Sequence, residues 1–320
     1  MPELPEVETV RSGLSRLLPG LQIIAVNFDW PKSFPNAPAD VEQFIIGAKI
    51  VDVKRRAKVL MIELSTNYSL VIHLKMTGQL VYVANRHPEL VSGPLPLSSG
   101  ILKQVQDDGR GKQTGGTRFG AGHPNDSLIG ELPDKSTRVT LSLNDGGKLF
   151  FNDQRKFGWM RLIPTPEVQN LDFFKKVGPE PLSADFTWQI FRDRCQRRKN
   201  SNIKSVILDQ TVLAGIGNIY ADESLWGAKI HPSTLVKDIS AAKFHKLYGE
   251  IVFVLKLAIE KGGSTNRNYV NAEGKKGSYM DFARVFRREG QLCPRCGTTI
   301  EKIRVAARGT HVCPNCQKTK

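Results

Sequence analysis

The chain has 320 residues and carries 46 Lys+Arg against 31 Asp+Glu, which gives a net charge of +15. This length is enough for two or three domains with cores of their own, so folding requires no disulfide framework. The sequence has neither a secretory leader nor an apolar run near the ~18 residues of a membrane span, and this predicts a cytoplasmic protein without membrane attachment.

The positive charge is concentrated in the C-terminal part. Residues 191–320 hold 24 Lys+Arg and 11 Asp+Glu, net +13, whereas residues 1–190 hold 22 and 20, net +2. A basic half indicates a polyanionic partner. We favour nucleic acid over a membrane surface, because no basic amphipathic helix with a strong apolar face is evident.

The chain begins MPELPEVETV, a segment that predicts a helix and raises a chemical question. Its prolines and acids suit the first turn of a helix, and the helical apolar spacing continues until Pro19-Gly20. If Met1 is removed, however, the nitrogen of Pro2 becomes a secondary amine close to Glu3 and Glu6. The segment therefore also fits a nucleophile with acids beside it.

Strand patterns follow in KVLMIELS, SLVIHLKM, RVTLSL and KLFF, and they predict a β core fronted by one helix. Residues 86–133 interrupt this pattern, with eight glycines between positions 93 and 122. Such composition predicts a flexible insertion, so a linker in place of residues 88–130 should leave stability unchanged. The alternative is that its cations form an added DNA-gripping arm.

From about residue 186 the apolar period becomes helical again and predicts a helical domain that ends at Gly262-Gly263. Within it, LAGIGNIYADESLW places Gly215, Gly217 and Asn218 at a turn leading into a helix. Backbone N–H groups at such a turn could hold a phosphate, and a plain interhelical turn is the alternative.

Four of the five cysteines form the pattern C-x2-C-x16-C-x2-C, a spacing that predicts one tetrahedral zinc ion. They are Cys293, Cys296, Cys313 and Cys316. Four thiolates leave no position open for substrate, so the zinc should be structural. Between the two pairs, Lys302, Arg304 and Arg308 alternate with apolar residues, which favours a groove-binding β-hairpin over a merely solvated face.

Several motifs in one order resemble the formamidopyrimidine-DNA glycosylase family of bacterial base-excision repair. They are MPELPEVETV, RRAKVL, HLKMTGQL, DQRKFG, GIGNIYADESL, NAEGKKGSY and CPRC...ARGTHVCPNCQ. The resemblance implies an α+β multidomain protein with an N-terminal β-sandwich and flanking helix, a helix-two-turn-helix domain and a C-terminal zinc finger. The domain ranges are residues 1–165 with the insertion 86–133, residues 180–265, a lesion-recognition loop region 266–285, and the zinc finger 286–320.

The resemblance also implies an activity. Members excise oxidised purines, 8-oxoguanine and formamidopyrimidines, from duplex DNA and cut the strand by β,δ-elimination through an iminium on the N-terminal proline. The catalytic residues implied are Pro2, Glu3, Glu6 and Lys58. The expected partner is double-stranded DNA with oxidised purines or abasic sites, bound by a monomer associated with the bacterial nucleoid, and the expected cofactor is one zinc ion.

Eight further positions match residues that contact DNA in this family. They are His73, Met76, Arg155, Lys156, Phe157, Asn218, Arg267 and Arg308. From the residues alone, His73 could instead be a satisfied core histidine, and Met76 and Phe157 could be ordinary core residues. Lys156 stands where arginine is expected, which puts a bidentate phosphate contact there in doubt.

Two other functions remain as alternatives. The first is a relative of endonuclease VIII, which prefers oxidised pyrimidines; Leu4 and the long segment GGSTNRNYVNAEGKKGSY favour the oxidised-purine enzyme instead. The second is a non-catalytic zinc-finger DNA-binding protein, in which Pro2 and Glu3 would be incidental.

Overall fold

A computed structural model describes residues 2–84, 118–123, 126–264 and 279–319. The helices are α1 (Leu4–Leu17), α2 (Pro38–Phe44), α3 (Asp172–Lys176), α4 (Trp188–Gln196), α5 (Ile203–Leu208), α6 (Asn218–Gly227) and α7 (Ala241–Glu260). The strands are β1 (Ile23–Phe28), β2 (Ile50–Arg56), β3 (Val59–Leu64), β4 (Tyr68–His73), β5 (Gly78–Val83), β6 (Arg118–Gly122), β7 (Thr137–Leu143), β8 (Lys148–Asp153), β9 (Trp159–Pro164), β10 (Glu301–Val305) and β11 (Arg308–Val312).

The N-terminal part is a β-sandwich of two antiparallel sheets. One sheet has the strand order β1-β7-β8-β5-β6 and the other β2-β3-β4-β9. Side chains of both sheets share one hydrophobic core, and α1 contributes Val7, Val10 and Leu14 to it. The predicted sandwich with a flanking helix is confirmed, and the apolar face of α1 explains why this helix is fixed at its edge.

Strand β6 lies inside the segment 86–133 that the sequence predicted to be flexible. Arg118–Gly122 pairs with β5, and Phe119 is only 1% exposed. A Cβ on Gly13 of α1 would lie 2.1 Å from the ring of Phe119, so helix and strand meet at that glycine. The prediction was therefore wrong for residues 118–122. A linker replacing residues 88–130 would delete a strand of the sandwich.

The high glycine content led to the wrong prediction for residues 118–122, and the reason is physical. Glycines usually indicate a loop because they lack a side chain to bury. In β6 they permit close packing instead, since a Cβ on Gly120 would meet Leu128 at 3.1 Å and Val81 at 3.3 Å. Phe119 and Ala121 supply the buried apolar surface that makes the strand part of the core.

The C-terminal part contains the predicted helical domain and a small β-hairpin. Helices α4 to α7 enclose a second core that includes Phe191, Tyr220 and Phe244. Strands β10 and β11 form the hairpin, and its cysteines pack with Trp226 of α6. The domain boundaries given above stay predictions. Among the described residues, no helix is both long enough and apolar enough to cross a membrane.

Replacing Phe119 with Ala should destabilise the sandwich by roughly 3–5 kcal/mol, the usual cost of removing a buried phenyl ring. The comparison is Ile129→Ala in the same region, because Ile129 is 58% exposed. Urea unfolding followed by tryptophan fluorescence measures both variants. If the two variants unfolded at the same urea concentration, β6 would not belong to the cooperative core.

Candidate active site and zinc centre

A cavity of about 300 Å³ lies where the N-terminal domain, the helical domain and the hairpin meet. Its wall collects residues from distant parts of the chain. They are Pro2, Glu3, Glu6, Met76, Gly122, His123, Asn218, Ile219, Ser264, Met280, Phe286, Arg287 and Arg308. Of the predicted site residues, the cavity thus brings together Pro2, two acids, Met76, Asn218 and Arg308.

The carboxylate of Glu3 caps the N-terminus of α6. The Gly217 N–H donates to Glu3 Oε2 (2.8 Å), and the Ile219 N–H donates to Glu3 Oε1 (3.2 Å). A Cβ on Gly217 would lie 2.3 Å from the carboxyl carbon of Glu3, so glycine is required there. The predicted phosphate-binding turn is therefore occupied, at this amide, by an acid from the other end of the chain.

Glu6 is the second buried acid and holds three partners. Its carboxylate accepts hydrogen bonds from the Glu3 N–H (2.8 Å), the Tyr220 hydroxyl (2.6 Å) and the Ser264 N–H (2.7 Å). These partners belong to α1, to α6 and to the segment after α7. Glu6 therefore fixes the start of α1 against the helical domain.

Burial sets the protonation of Glu3. It raises the pKa of Glu3 from 4.5 to about 7, although the positive charge of Lys58 and the Ile219 N–H oppose this; Glu6 adds to the increase. Lys58 is also buried, which lowers its pKa, and its Nζ donates to the Ile216 carbonyl (2.8 Å). At neutral pH, Glu3 can accordingly both give and take a proton.

Pro2 is buried at the cavity wall immediately before α1. Met1 lies outside the described residues. With Met1 attached, the Pro2 nitrogen is an amide; without it, the nitrogen is an amine whose pKa ordinarily lies near 8, so that a useful fraction is unprotonated at neutral pH.

Two predicted DNA-contacting residues, Asn218 and Arg308, lie where α6 approaches the hairpin. The Asn218 Nδ2 donates to the Gly309 carbonyl (2.9 Å), next to the exposed Arg308. Arg308 follows a two-residue turn, Ala306-Ala307, in which both residues have positive φ. The turn presents the arginine at the cavity, with its guanidinium available to an anion.

Met76 and Phe157 are not core residues. They are 38% and 52% exposed, and the Arg155 guanidinium lies 4.7 Å from the centroid of the Phe157 ring. Met76 lines the cavity, whereas Phe157 does not, and the exposure of both side chains is compatible with the wedge expected to fill the space left by an extruded base.

Asp153 organises the loop that carries Arg155 and Phe157, and its role was not predicted from the sequence. Its buried carboxylate accepts hydrogen bonds from the Phe157 N–H (2.8 Å), the Gly158 N–H (2.6 Å) and the Thr77 hydroxyl. The loop of residues 154–158 and the turn at Met76 therefore share one anchor. The motif DQRKFG contained the signal, because an Asp before a turn commonly binds the backbone N–H groups that follow it.

Of the three remaining predicted DNA-contacting residues, the structure describes two, and neither lines the cavity. The Lys156 ammonium lies 4.4 Å from the centroid of the Trp30 ring, exposed on the surface. His73 accepts a hydrogen bond from the Lys75 N–H (2.9 Å) at Nδ1, and its burial lowers its pKa to about 3. It does not line the cavity, so its DNA contact stays a prediction. Arg267 lies outside the described residues.

The hairpin and the helical domain are joined by buried charges that were not predicted from the sequence either. Lys204 Nζ lies 2.6 Å from Asp222 Oδ1 and 2.6 Å from Thr310 Oγ1, fully buried. The other Asp222 oxygen accepts from the His311 N–H (2.9 Å). No periodicity reveals such a cluster, since its three members come from α5, α6 and β11.

The four predicted zinc ligands converge. Their Sγ atoms all lie within 4.8 Å of one another, with Cys296–Cys313 at 3.4 Å and Cys293–Cys316 at 4.0 Å. A tetrahedral ion with Zn–S bonds of ~2.3 Å places its sulfur ligands roughly 3.8 Å apart. The donor set fits one structural zinc ion and leaves no open position for chemistry.

Comparison with known proteins identifies the family. Family profiles match the formamidopyrimidine-DNA glycosylase N-terminal domain over residues 1–160, its H2TH domain over residues 177–270, and a zinc finger found in FPG and IleRS over residues 290–319. The chain belongs to the formamidopyrimidine-DNA glycosylase family. Its fold of β-sandwich, helix-two-turn-helix domain and zinc finger is the one the resemblance implied.

Individual relatives align with this glycosylase over essentially their whole length. The formamidopyrimidine-DNA glycosylases of Pelotomaculum thermopropionicum and Streptococcus pneumoniae are each 37% identical, covering 100% and 99% of both chains. Solved structures include a Lactococcus lactis Fpg complex with abasic-site DNA and a MutM complex with DNA containing carbocyclic 8-oxo-G. Both are 32% identical with TM-score 0.78, covering 99% of this chain and 100% of theirs.

The raised pKa of Glu3 predicts a specific pH dependence of the glycosylase's stability. The folded chain binds the Glu3 proton more tightly than the unfolded chain, whose pKa is 4.5. This stabilisation is complete below about pH 4.5 and is lost as pH rises through about 7, on the order of 3 kcal/mol in total. Glu3→Gln should therefore gain stability relative to the wild type across this interval. Urea midpoints at several pH values measure it.

The exposed acid Glu42, in the variant Glu42→Gln, is the control for this experiment. From pH 4.5 to 7, the urea midpoint of Glu42→Gln should change with pH in the same way as that of the wild type. A Glu3→Gln variant that also ran parallel to the wild type would show that Glu3 titrates as an ordinary exposed acid.

Loss of one zinc ligand should unfold the zinc finger alone. In Cys296→Ser the metal site lacks a thiolate, and the finger depends on metal binding for its folding. Zinc content should fall below one ion per chain, and DNA binding should be lost while the sandwich still unfolds cooperatively. Cys195→Ser, which alters a buried cysteine outside the cluster, is the control. Unchanged DNA affinity in Cys296→Ser would contradict the role of the finger.

Proposed function

We propose that this chain removes oxidised purines from duplex DNA and then cuts the strand, using the Pro2 amine as nucleophile. The observation that carries the proposal is the cavity in which Pro2 lies beside two buried acids, one of them with a pKa raised to about 7. Family membership supports the substrate class, because the relatives are formamidopyrimidine-DNA glycosylases and the structural neighbours include Fpg bound to lesion DNA.

In the proposed first step, the Pro2 nitrogen attacks C1′ of the damaged nucleotide. The C1′–N bond breaks, its electron pair leaves with the base, and the proton that the amine loses passes to the departing base. Opening of the sugar ring then moves the C1′–O4′ electrons onto O4′, which takes a proton from Glu3, while the nitrogen lone pair forms the iminium. A carboxyl group with a pKa near 7 suits this transfer at neutral pH.

The iminium of a secondary amine is permanently charged and acts as an electron sink. The Glu3 carboxylate, ionised by the ring opening, takes a proton from C2′, and the resulting enamine expels the 3′ phosphate. Glu3 passes this proton to solvent water and takes a second proton from C4′, and the 5′ phosphate leaves. Glu6 holds the Glu3 backbone and Tyr220 in place. Lys58, buried near Glu3 but outside the cavity wall, would act through its positive charge, which favours the ionised form of Glu3.

DNA binding is proposed for the exposed cations and the exposed wedge. Asn218 Nδ2 has a second hydrogen that can donate to a phosphate, and Arg308 lies on the same rim. Met76, Arg155 and Phe157 would occupy the space vacated by the extruded nucleotide. Lys156 would contact a phosphate as a point charge, since it lacks the planar fork of arginine. The enzyme would act on chromosomal DNA in the nucleoid.

The principal test is excision from duplexes with one 8-oxoguanine or one oxidised pyrimidine. We expect rapid excision of the purine lesion and much slower excision of the pyrimidine; the opposite preference would favour an endonuclease VIII-like function. If a chain lacking Met1 bound both duplexes with equal affinity and excised neither lesion, a non-catalytic DNA-binding protein would be favoured.

Replacing Pro2 with Gly should abolish most base excision and leave lesion binding near normal. The variant still has an N-terminal amine, but this amine is primary and no longer fixed by a ring. Single-turnover excision and gel-shift binding measure the two effects. Pro19→Gly, in the turn after α1, is the matched control. Wild-type excision by Pro2→Gly would refute the nucleophile assignment.

A further inference from the structure

His123 lies at the end of β6, and its backbone is fixed there. The His123 N–H donates to the Gly78 carbonyl (3.0 Å), and the Gln79 side-chain amide donates to the His123 carbonyl. Gly122 has φ +131°, and a Cβ at that position would lie 2.5 Å from the Gly78 oxygen. Only glycine adopts this conformation readily, so Gly122 sets the direction in which the backbone continues into His123.

This anchoring puts His123 in the wall of the active-site cavity. It lines the cavity together with Pro2 and Glu3 of the N-terminal segment and with Met76. His123 is partly buried, and no step described so far uses it. It belongs to the segment that the sequence predicted to be an insertion, which explains why no motif pointed to it.

The electrostatics of the site favour a neutral imidazole here. Burial lowers the pKa of His123 below its usual 6.5, and the positive charge at the N-terminus of the chain acts in the same direction, while Asp153 opposes it. A neutral imidazole can donate one hydrogen bond and accept another. It adds no positive charge beside the nitrogen that becomes an iminium, whereas a lysine or arginine at this position would repel that charge.

We propose that His123 contacts the nucleotide held in the cavity and orients it for attack by Pro2, an inference that rests on the proposed glycosylase function. Met76, Gly122 and His123 form the part of the wall that the sandwich contributes. His123 has the only titratable side chain of these three. The imidazole therefore provides the polar contact from the sandwich side, and Asn218 and Arg308 provide it from the other.

Kinetics of variants test this assignment. His123→Ala should lower kcat/KM for 8-oxoguanine excision about tenfold, the loss expected for a hydrogen bond to substrate. His123→Gln, which keeps a donor and an acceptor, should stay within about threefold of the wild type. The control is His231→Ala, another partly buried histidine with a lowered pKa that does not line the cavity. Thermal unfolding is recorded for each variant.

A preformed abasic site in the same duplex locates the contact. If only excision is impaired in His123→Ala, the imidazole contacts the base; if strand cutting at the abasic site is impaired as well, it contacts the sugar or phosphate. Both results support the proposal. Rates within twofold of His231→Ala on both substrates would overturn it, and inactivity of the unmutated chain would instead refute the proposed glycosylase function.

Chemical modification tests the contact in the unmutated chain. Diethyl pyrocarbonate reacts with neutral imidazoles, and peptide mass spectrometry reports its reaction with each histidine. We expect a complex with duplex DNA containing carbocyclic 8-oxo-G, in which the base stays attached, to protect His123 at least fivefold more than His231, relative to the free protein. Equal modification rates of His123 in the complex and in the free protein would overturn the proposal even if a variant failed to fold.

Discussion

The burial of the Glu3 carboxylate against the N-terminus of α6 is the interaction on which the rest of the site depends. It joins positions 3 and 217, so the first residues of the chain are tied to the helical domain. The Leu4 N–H, which donates to the Gly215 carbonyl (2.9 Å), reinforces this junction. Pro2 precedes both contacts directly. The contacts between the N-terminal segment and the helical domain therefore determine the position of the Pro2 nitrogen.

The same interaction also sets the pKa of Glu3. Removing a carboxylate from water disfavours its charged form, while amide donors, the positive end of the α6 dipole and Lys58 favour it. The balance leaves a pKa of about 7. A fully exposed Glu would stay ionised at neutral pH, and a buried one without donors would stay protonated. The close approach allowed by Gly217 thus serves both assembly and proton transfer.

Local patterns in the sequence predicted local structure well. The helix after Pro2, the strands of the sandwich, the helical domain and the four-cysteine zinc site all follow from periodicity or spacing. The family resemblance added the proposed wedge role of Met76 and Phe157, which the residues alone would have placed in the core. Their exposure shows that apolar residue type alone does not place a side chain in the core.

What the sequence did not reveal depends on contacts between distant segments. β6 was missed because its glycines permit packing against β5, and Gly13 of α1 permits packing against Phe119, properties visible only when those neighbours are known. The buried pair Lys204–Asp222 was missed because its two members lie on different elements. Asp153 was missed although its motif contained a local signal, an Asp before the turn whose N–H groups it binds. His123 combines both causes, since a strand that was mistaken for loop carries it to the cavity.

The most direct measurement is the location of the covalent link between protein and DNA. The chain without Met1 is trapped with borohydride on a duplex that contains one 8-oxoguanine, digested with trypsin and nuclease, and analysed by mass spectrometry. The sugar remnant should be found on the nitrogen of Pro2, within the N-terminal peptide PELPEVETVR that ends at Arg11. A remnant on Lys58, or on any other lysine, would contradict the assignment of Pro2 as the nucleophile.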